Sequence, residues 1–444
     1  MQTNINHRFA IRCSLIASLG GFLFGFETAV ISGAEKTIQE LWVLDSFWQG
    51  FTVSASLIGT VIGALVASFP AQRFGRKKVL LVIALFYLLS AVGCATSYAW
   101  LLFIFFRFMG GLAVGVSSVV GPIYISEIAP AKIRGRLTGS FQFMIVLGIF
   151  VAYLTNFLFV GLGDDAWRWM LGIMVIPASV FLVSLGFVPE SPRWLAMKGF
   201  GERAKQVFAR LGELDEIGRI SDLSRQEPLK RESLFQRKYT KPILYAGILA
   251  MFNQLSGINA ILYYAPRIFE MAGFDKEQAY LQPVFIGGAN LLFTCLAMLI
   301  IDKFGRKKLL LVGSVGMFVF LGLVAQAFRG GDIAGNSAML LYLIGFIAFF
   351  AFSQGAVIWV FISEIFPNAV RSQGSSLGSF THWIMAAVIS WVFPIVVESS
   401  PQGGFYSFVF YSIMMGLSFV FIWKFMPETK GKSLEEIQKE MIRE

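Results

Sequence analysis

The sequence predicts an all-α membrane protein made of two related halves, each contributing six spans. Composition, the count of apolar runs and a set of cassettes that occurs twice all point to it. Of the 444 residues, 56% are hydrophobic and only 14% charged, a balance foreign to soluble domains of this length. Apolar runs such as Val79 to Thr96, Phe141 to Phe159, Leu171 to Val188 and Phe408 to Phe425 reach or nearly reach the length that crosses a bilayer as a helix. A membrane β-barrel would instead alternate apolar and polar residues. Arg73-Phe-Gly-Arg-Lys-Lys78 returns as Lys303-Phe-Gly-Arg-Lys-Lys308, Ser126-Glu-Ile-Ala-Pro130 as Ser363-Glu-Ile-Phe-Pro367, and Pro189-Glu190 as Pro427-Glu428. The copies keep their order and lie slightly more than half the chain apart, the mark of a tandem duplication. Duplicated membrane chains commonly place a substrate site where their halves meet.

Cutting the chain at charges and turn residues gives spans near 10–33, 49–70, 79–97, 100–128, 138–160 and 167–188, then 242–271, 281–301, 309–328, 338–365, 374–397 and 405–426. The seventh is the least regular, interrupted by Gly257 and Pro266. The domain organisation expected is a first half over 1–189, a linking segment over 190–241, a second half over 242–427 and a tail over 428–444. The linking segment carries apolar residues at helical spacing, Ala204, Val207, Phe208 and Leu211 among them, and so reads as short amphipathic helices. A latch on the cytoplasmic side and a solvated linker fit this pattern equally. A shorter amphipathic stretch runs from Leu434 to Met441.

Basic residues set the expected orientation. Arg8 and Arg12, the run Arg73 to Lys78, Lys132, Arg134 and Arg136, the segment 193–241, Lys303 to Lys308, Arg371 and the tail from Lys430 all fall at one end of the spans. The positive-inside rule makes that end cytoplasmic and puts both termini there. The net charge of +10 then reflects topology and anionic lipid rather than nucleic acid. Cys13, Cys94 and Cys295 lie inside spans without metal-ligand spacing and read as packing residues. No cleavable leader pattern opens the chain, so the first span is expected to remain as an anchor. The absence of any Asn-x-Ser/Thr acceptor favours a bacterial inner membrane.

Charges at membrane depth are costly and single themselves out. Glu27 ends the stretch Gly20-Gly-Phe-Leu-Phe-Gly-Phe-Glu27, and Arg107 opens the glycine-rich Arg107-Phe-Met-Gly-Gly-Leu-Ala-Val-Gly115. Paired, the two cost less to bury than either alone. A buried carboxylate facing an arginine feels opposed influences on its proton affinity, so small movements tip it. A purely structural ion pair is the competing account. A second set is neutral: Gln142, Asn253, Gln254, Asn259, Asn290 and His382, with the indoles of Trp359 and Trp383. Amides supply a donor and an acceptor each, matching a polyol, and an indole covers an apolar sugar face. Taken singly, each amide also serves as an interhelical hydrogen bond. Three amides surround Gly257, where the helix is expected to break and expose backbone groups. Gly110, Gly111 and Gly115 are expected to allow close helix approach.

The doubled cassettes carry charge rather than catalytic groups. Arg76 and Arg306 sit at glycine turns, while Glu127 with Arg134 and Glu364 with Arg371 bracket the cytoplasmic end of a span. Together with Glu190 and Glu428 they are expected to form a cytoplasmic gate of ion pairs that break as the halves rock. Setting topology alone would not require the glutamates. No metal-ligand cluster or nucleophile constellation occurs in the aqueous loops, so an enzyme finds no support, and neither a metal nor a cofactor is implied.

As a set, Gly21-Phe-Leu-Phe-Gly-Phe-Glu-Thr-Ala-Val-Ile-Ser-Gly33, Arg73-Phe-Gly-Arg-Lys77, Pro189-Glu-Ser-Pro-Arg-Trp-Leu195, Gln254-Leu-Ser-Gly-Ile-Asn259 and Pro427-Glu-Thr-Lys-Gly431 resemble the signatures of the sugar porter family of the major facilitator superfamily along essentially the whole chain. The resemblance implies twelve transmembrane helices in two pseudo-symmetric six-helix bundles, the major facilitator fold, with alternating access around a central sugar site. In proton-coupled members an acid of the first helix pairs with the arginine of the fourth, and those positions match Glu27 and Arg107. The family usually has aspartate where Glu27 stands, and passive facilitators carry an amide there. Gln142, Gln254, Asn259, Asn290 and Trp359 match its sugar-binding positions. Three residues depart from the pattern: Asn253 replaces a glutamine, Gly355-Ala356 replaces glycine-proline before Trp359, and His382 replaces an amide before Trp383.

The function expected is proton symport of a monosaccharide by a monomer among membrane lipids, with no nucleic-acid partner. The alternatives are a passive uniporter and a sugar sensor that does not transport. Whether the sugar is a hexose, a pentose or a cyclic polyol stays open, as does whether His382 titrates or acts as a neutral hydrogen-bonding ring.

Overall fold

Apolar runs in a bilayer must satisfy their own backbone, and in the computed structural model the described residues that form regular structure are all helical. The structure describes residues 7–212, 233–330, 336–367, 370–428, 430 and 441. In chain order the helices are α1 His7–Val30, α2 Glu35–Leu41, α3 Ser46–Val66, α4 Ser68–Phe74, α5 Arg76–Thr96, α6 Trp100–Ile128, α7 Arg134–Phe159, α8 Ala166–Gly172, α9 Val175–Ser184, α10 Pro192–Met197 and α11 Gly201–Leu211. They continue as α12 Thr240–Leu255, α13 Ile258–Tyr263, α14 Ala265–Met271, α15 Lys276–Phe304, α16 Arg306–Gly330, α17 Asn336–Phe350, α18 Ala356–Glu364, α19 Arg371–Glu398 and α20 Gly403–Phe425. Among the described residues twelve helices are long and apolar enough to cross a bilayer, six before the linking segment and six after it.

Two boundaries differ from expectation. The second span ends at Val66, and Ser68–Phe74 forms a separate helix. The seventh stops at Tyr263 rather than 271, because Gly257 takes φ +79° and Tyr264 leaves helical geometry just before Pro266. Proline has no N–H for the carbonyl four residues back, and Tyr153 Oη donates to that Leu262 oxygen instead, at 2.7 Å. Pro394 in α19 leaves the Ser390 carbonyl free in the same way, and Tyr264 Oη fills it at 2.9 Å. The tenth span carries a π-helical turn over Ala351–Gly355, which ends immediately before Ala356.

The chain packs as two compact units. The first takes in Met1–Glu27, Gly59–Ile149 and Arg168–Leu229; the second takes in Thr28–Ile58, Phe150–Trp167 and Lys230–Glu444. In the first, glycines bring backbones together: a Cβ on Gly25 would lie 1.8 Å from the Ile145 carbonyl oxygen of α7, and one on Gly148 2.1 Å from that of Phe22 in α1. Close approach of this kind replaces the hydrophobic drive that lipid removes. Gly115 sits equally close to the Thr60 carbonyl of α3. The linking segment forms α11, which buries Ala204, Val207, Phe208 and Leu211 as its periodicity predicts. In the second unit, Leu234, Tyr239, Ile365, Phe366 and Met441 share one apolar core; the rest of the expected tail helix from Leu434 lies outside the described residues.

Candidate functional site

The first unit holds the charged pair. Glu27 lies one turn before the end of α1 and is 3% exposed, and Arg107 in α6 is fully buried. Arg107 Nη1 donates to Glu27 Oε1 at 2.5 Å. Gly110 makes room: a Cβ there would fall 2.9 Å from Glu27 Oε1 and 2.4 Å from Ser90 Oγ. Nε and Nη2 of Arg107 are buried and make no hydrogen bond among the described residues. The arginine therefore holds donors in reserve beside a desolvated carboxylate. Gln142, half-buried on α7, belongs to this unit.

The second unit holds the amides. Gly257 in the left-handed region ends α12 and starts α13, and a Tyr411 ring carbon lies 2.4 Å from where a Cβ would sit, so both geometry and space demand glycine. The break swings Asn259 back toward the end of α12, where its Nδ2 donates to Gln254 Oε1 at 2.8 Å. Gln254 Nε2 donates to Asn253 Oδ1 at 3.0 Å and lies 3.1 Å from His382 Nε2. Asn253 Nδ2 in turn donates to the Gln354 carbonyl oxygen at 3.2 Å. The His382 ring stands 4.7 Å from Trp359 and 5.0 Å from Trp383, centroid to centroid. The structure thus joins Asn253, Gln254, Asn259, His382, Trp359 and Trp383 in one cluster. Asn290 is buried on α15, its Oδ1 accepting from Thr294 Oγ1 at 3.4 Å. Trp359, 38% exposed, is the open face of the set.

The amide cluster offers alternating donors and acceptors beside indole faces. Residues 13–441 match the model of the family described as sugar (and other) transporter. The glucose transport protein of Synechocystis sp. is 37% identical, over 98% of this chain and 98% of that protein. The arabinose-proton symporter of Bacillus subtilis is also 37% identical, over 98% and 96%. The inward-open structure of the xylose transporter from E. coli matches with a TM-score of 0.85 at 34% identity, covering 96% of this chain and 99% of that one.

The chain belongs to the sugar (and other) transporter family. It is a multi-pass membrane protein with the major facilitator fold, and its family is one of transporters rather than enzymes.

In this member of the family the doubled cassettes form matching clusters. Gly75 and Gly305 take φ of +101° and +88°, and a carboxylate packs against each, leaving no space for a side chain. Glu190 accepts from the Arg76 backbone N–H at 2.9 Å, and Glu428 from that of Arg306 at 2.9 Å. Each acid thus caps a helix N-terminus, where its charge is favoured. Arg76 Nη2 meets Glu127 at 2.7 Å, and Arg306 Nη2 meets Glu364 at 3.2 Å. Arg134 Nε donates to the Ala129 carbonyl at 3.3 Å, as Arg371 Nε does to that of Phe366 at 3.2 Å. Each of these bonds stays within one unit.

Two groups escape the sequence reading. Gln354 joins the amide cluster only because the π turn aims it there; it is fully buried and lies 3.4 Å from Ser418 Oγ. Arg267 lies inside the expected seventh span, where its charge at apolar depth is the signal. It meets Glu35 and Glu398.

Proposed function

We infer that this protein is a monosaccharide symporter driven by protons in a bacterial inner membrane, with both termini cytoplasmic, working as a monomer by alternating access between halves at 1–189 and 242–427. The observation that carries it is the buried Glu27 and Arg107 pair, in a chain that also builds a neutral amide cluster. A sugar needs no charged partner, so Glu27 and Arg107 are free to serve the coupling ion. In this scheme Glu27 takes up a proton and Arg107, with donors in reserve, stabilises the carboxylate when the proton leaves. Gln142, Asn253, Gln254, Asn259 and Asn290 bond the sugar hydroxyls, Trp359 and Trp383 cover its apolar face, and His382 acts as a neutral hydrogen-bonding ring. The clusters of Arg76, Glu127, Arg134 and Glu190, and of Arg306, Glu364, Arg371 and Glu428, form the cytoplasmic gate. The arabinose-proton symporter supports coupling to protons, and the glucose transport protein supports the substrate class.

Reconstituted protein should accumulate monosaccharide when the outside is acid. Glu27→Gln should keep sugar counterflow and lose accumulation. Equal accumulation by both proteins would refute coupling through Glu27.

A further inference from the structure

A second buried glutamate and arginine meet in the second unit, at the end of the spans opposite the basic clusters. Glu35 opens α2, just past the end of the first span, and is 1% exposed. Arg267, in α14, is 8% exposed. Arg267 Nε donates to Glu35 Oε1 at 2.9 Å, Nη1 to Glu398 Oε1 at 2.9 Å, and Nη2 to Gln39 Oε1. Glu35 Oε2 accepts from Gln49 Nε2 at 2.6 Å, and Gln39 Nε2 donates to Glu398 at 3.0 Å. Lys36 adds an outer pair with Glu270 at 2.5 Å.

The chain positions of these groups give the cluster its meaning. Glu35, Lys36, Gln39 and Gln49 come from the first half of the duplication; Arg267, Glu270 and Glu398 come from the second. The bonds described above for the basic clusters each stay within a half. The bonds of Arg267 do not. Opening this end must pull a buried guanidinium from a buried carboxylate, and removing one partner of such a pair strands the other in a dry site. Neutral bonds from Tyr280 Oη to the Gly33 carbonyl at 2.8 Å and from Trp391 Nε1 to that of Phe47 at 3.0 Å join the same seam.

We propose that Glu35, Arg267 and Glu398 form an ionic latch that holds this end of the transporter shut, and that its release is a step of the transport cycle. The latch rests on the transporter reading, so its test reads accessibility rather than transport. Ser32 is buried in the turn Ile31–Gly33, which packs against α13 and α14. In full-length protein with Cys13, Cys94 and Cys295 replaced, a Ser32→Cys reporter in right-side-out vesicles is treated with a membrane-impermeant maleimide.

Glu35→Gln and Arg267→Gln should each speed labelling roughly tenfold, the change that a shift of about one decade in the closed-to-open ratio produces. Lys36→Gln, on the exposed rim, should change it less. Because Glu35 and Arg267 act as one latch, the double variant should label no faster than Arg267→Gln. Size-exclusion profiles and sugar counterflow confirm that each variant is folded. Unchanged labelling in folded Glu35→Gln and Arg267→Gln proteins, or additive effects in the double variant, would overturn the latch. Faster labelling with no counterflow in the parent would uphold the latch as what holds this end shut, while sinking the carrier reading and with it the latch's place in a transport cycle.

Discussion

Two buried glutamate and arginine pairs stand in this molecule, their acids only two helical turns apart in sequence, and they are built differently. Arg107 makes one ionic hydrogen bond to Glu27, and its Nε and Nη2 have no hydrogen-bond partner among the described residues. Arg267 bonds through Nε and both Nη groups, to two carboxylates and an amide. A guanidinium with its donors filled fixes the groups around it, whereas one with donors in reserve accommodates a partner that changes charge. The first pair lies within one half of the duplication; the second joins the two. The contrast teaches that burial and pairing alone do not assign a role. In the roles proposed above, what divides coupling from latching is how completely the cation is satisfied and which segments it ties.

The largest effect should come from Glu27. One proton moving down a potential of 100 mV supplies about 2.3 kcal/mol, or roughly fifty-fold accumulation of the sugar. Glu27→Gln should lose that whole factor in proteoliposomes at a fixed potential. Glu35→Gln should keep it, because the latch sets the ratio of open to closed forms and not the number of protons carried. If both variants lose accumulation equally, the distinction between the pairs collapses.

The next test concerns pH. Burial raises the Glu35 carboxyl above the usual carboxylate range, with a further push from Glu270, while Arg267 and Gln49 oppose it. A raised value means that acidification protonates Glu35 before ordinary carboxylates, and the neutral acid no longer holds Arg267 as an ion pair. Lys36, Glu40 and Glu398 are further charged groups near this seam, and the hydroxyls of Tyr264 and Tyr280 face Glu35 as well. Labelling of the Ser32→Cys reporter should therefore rise as the pH falls toward the ordinary carboxylate range, reaching the rate of Glu35→Gln. The Glu35→Gln protein should show a flat profile. A wild-type profile as flat as that of the variant would break the link between protonation and release.

Much of this was legible in the chain. Twelve spans follow from apolar length, and the cassettes mark the two clusters at which Glu190 and Glu428 cap α5 and α16. Glycine at 257 announces a broken helix, because three amides flank a residue without a side chain. The Arg267 network was not legible, since nothing in periodicity links residue 35 to residues 267 and 398; only the packing of α2 on α14 and α19 does. Gln354 escaped for a similar reason, since its place depends on a π turn that no proline announces. The stop of the seventh span at Tyr263 hides too, because the apolar run continues while Pro266 removes a donor that Tyr153 must replace.

A neutral control sharpens the comparison. Gln254 lies at the centre of the amide cluster, bonded to Asn253 and Asn259 and next to His382. Gln254→Ala removes an uncharged bonding group worth about 1 kcal/mol, so KM for the sugar should rise roughly fivefold. Neither the accumulation ratio at saturating sugar nor the labelling of Ser32→Cys should move. A change in either would mean that the neutral cluster and the ion pairs are energetically one network.

The smallest effect separates the ions of the latch from the helices that carry them. Tyr264 immediately precedes α14, its ring within 6.0 Å of the Arg267 guanidinium, and its hydroxyl satisfies the Ser390 carbonyl that Pro394 leaves free on α19. Tyr264→Phe keeps the ring and deletes that one bond, so thermal stability in detergent should fall by about 1 kcal/mol. Arg267, Glu35 and Glu398 keep their contacts, and labelling should change by less than about twofold. A larger rise would mean that the register of α14 against α19, rather than the charges they bear, keeps this end closed.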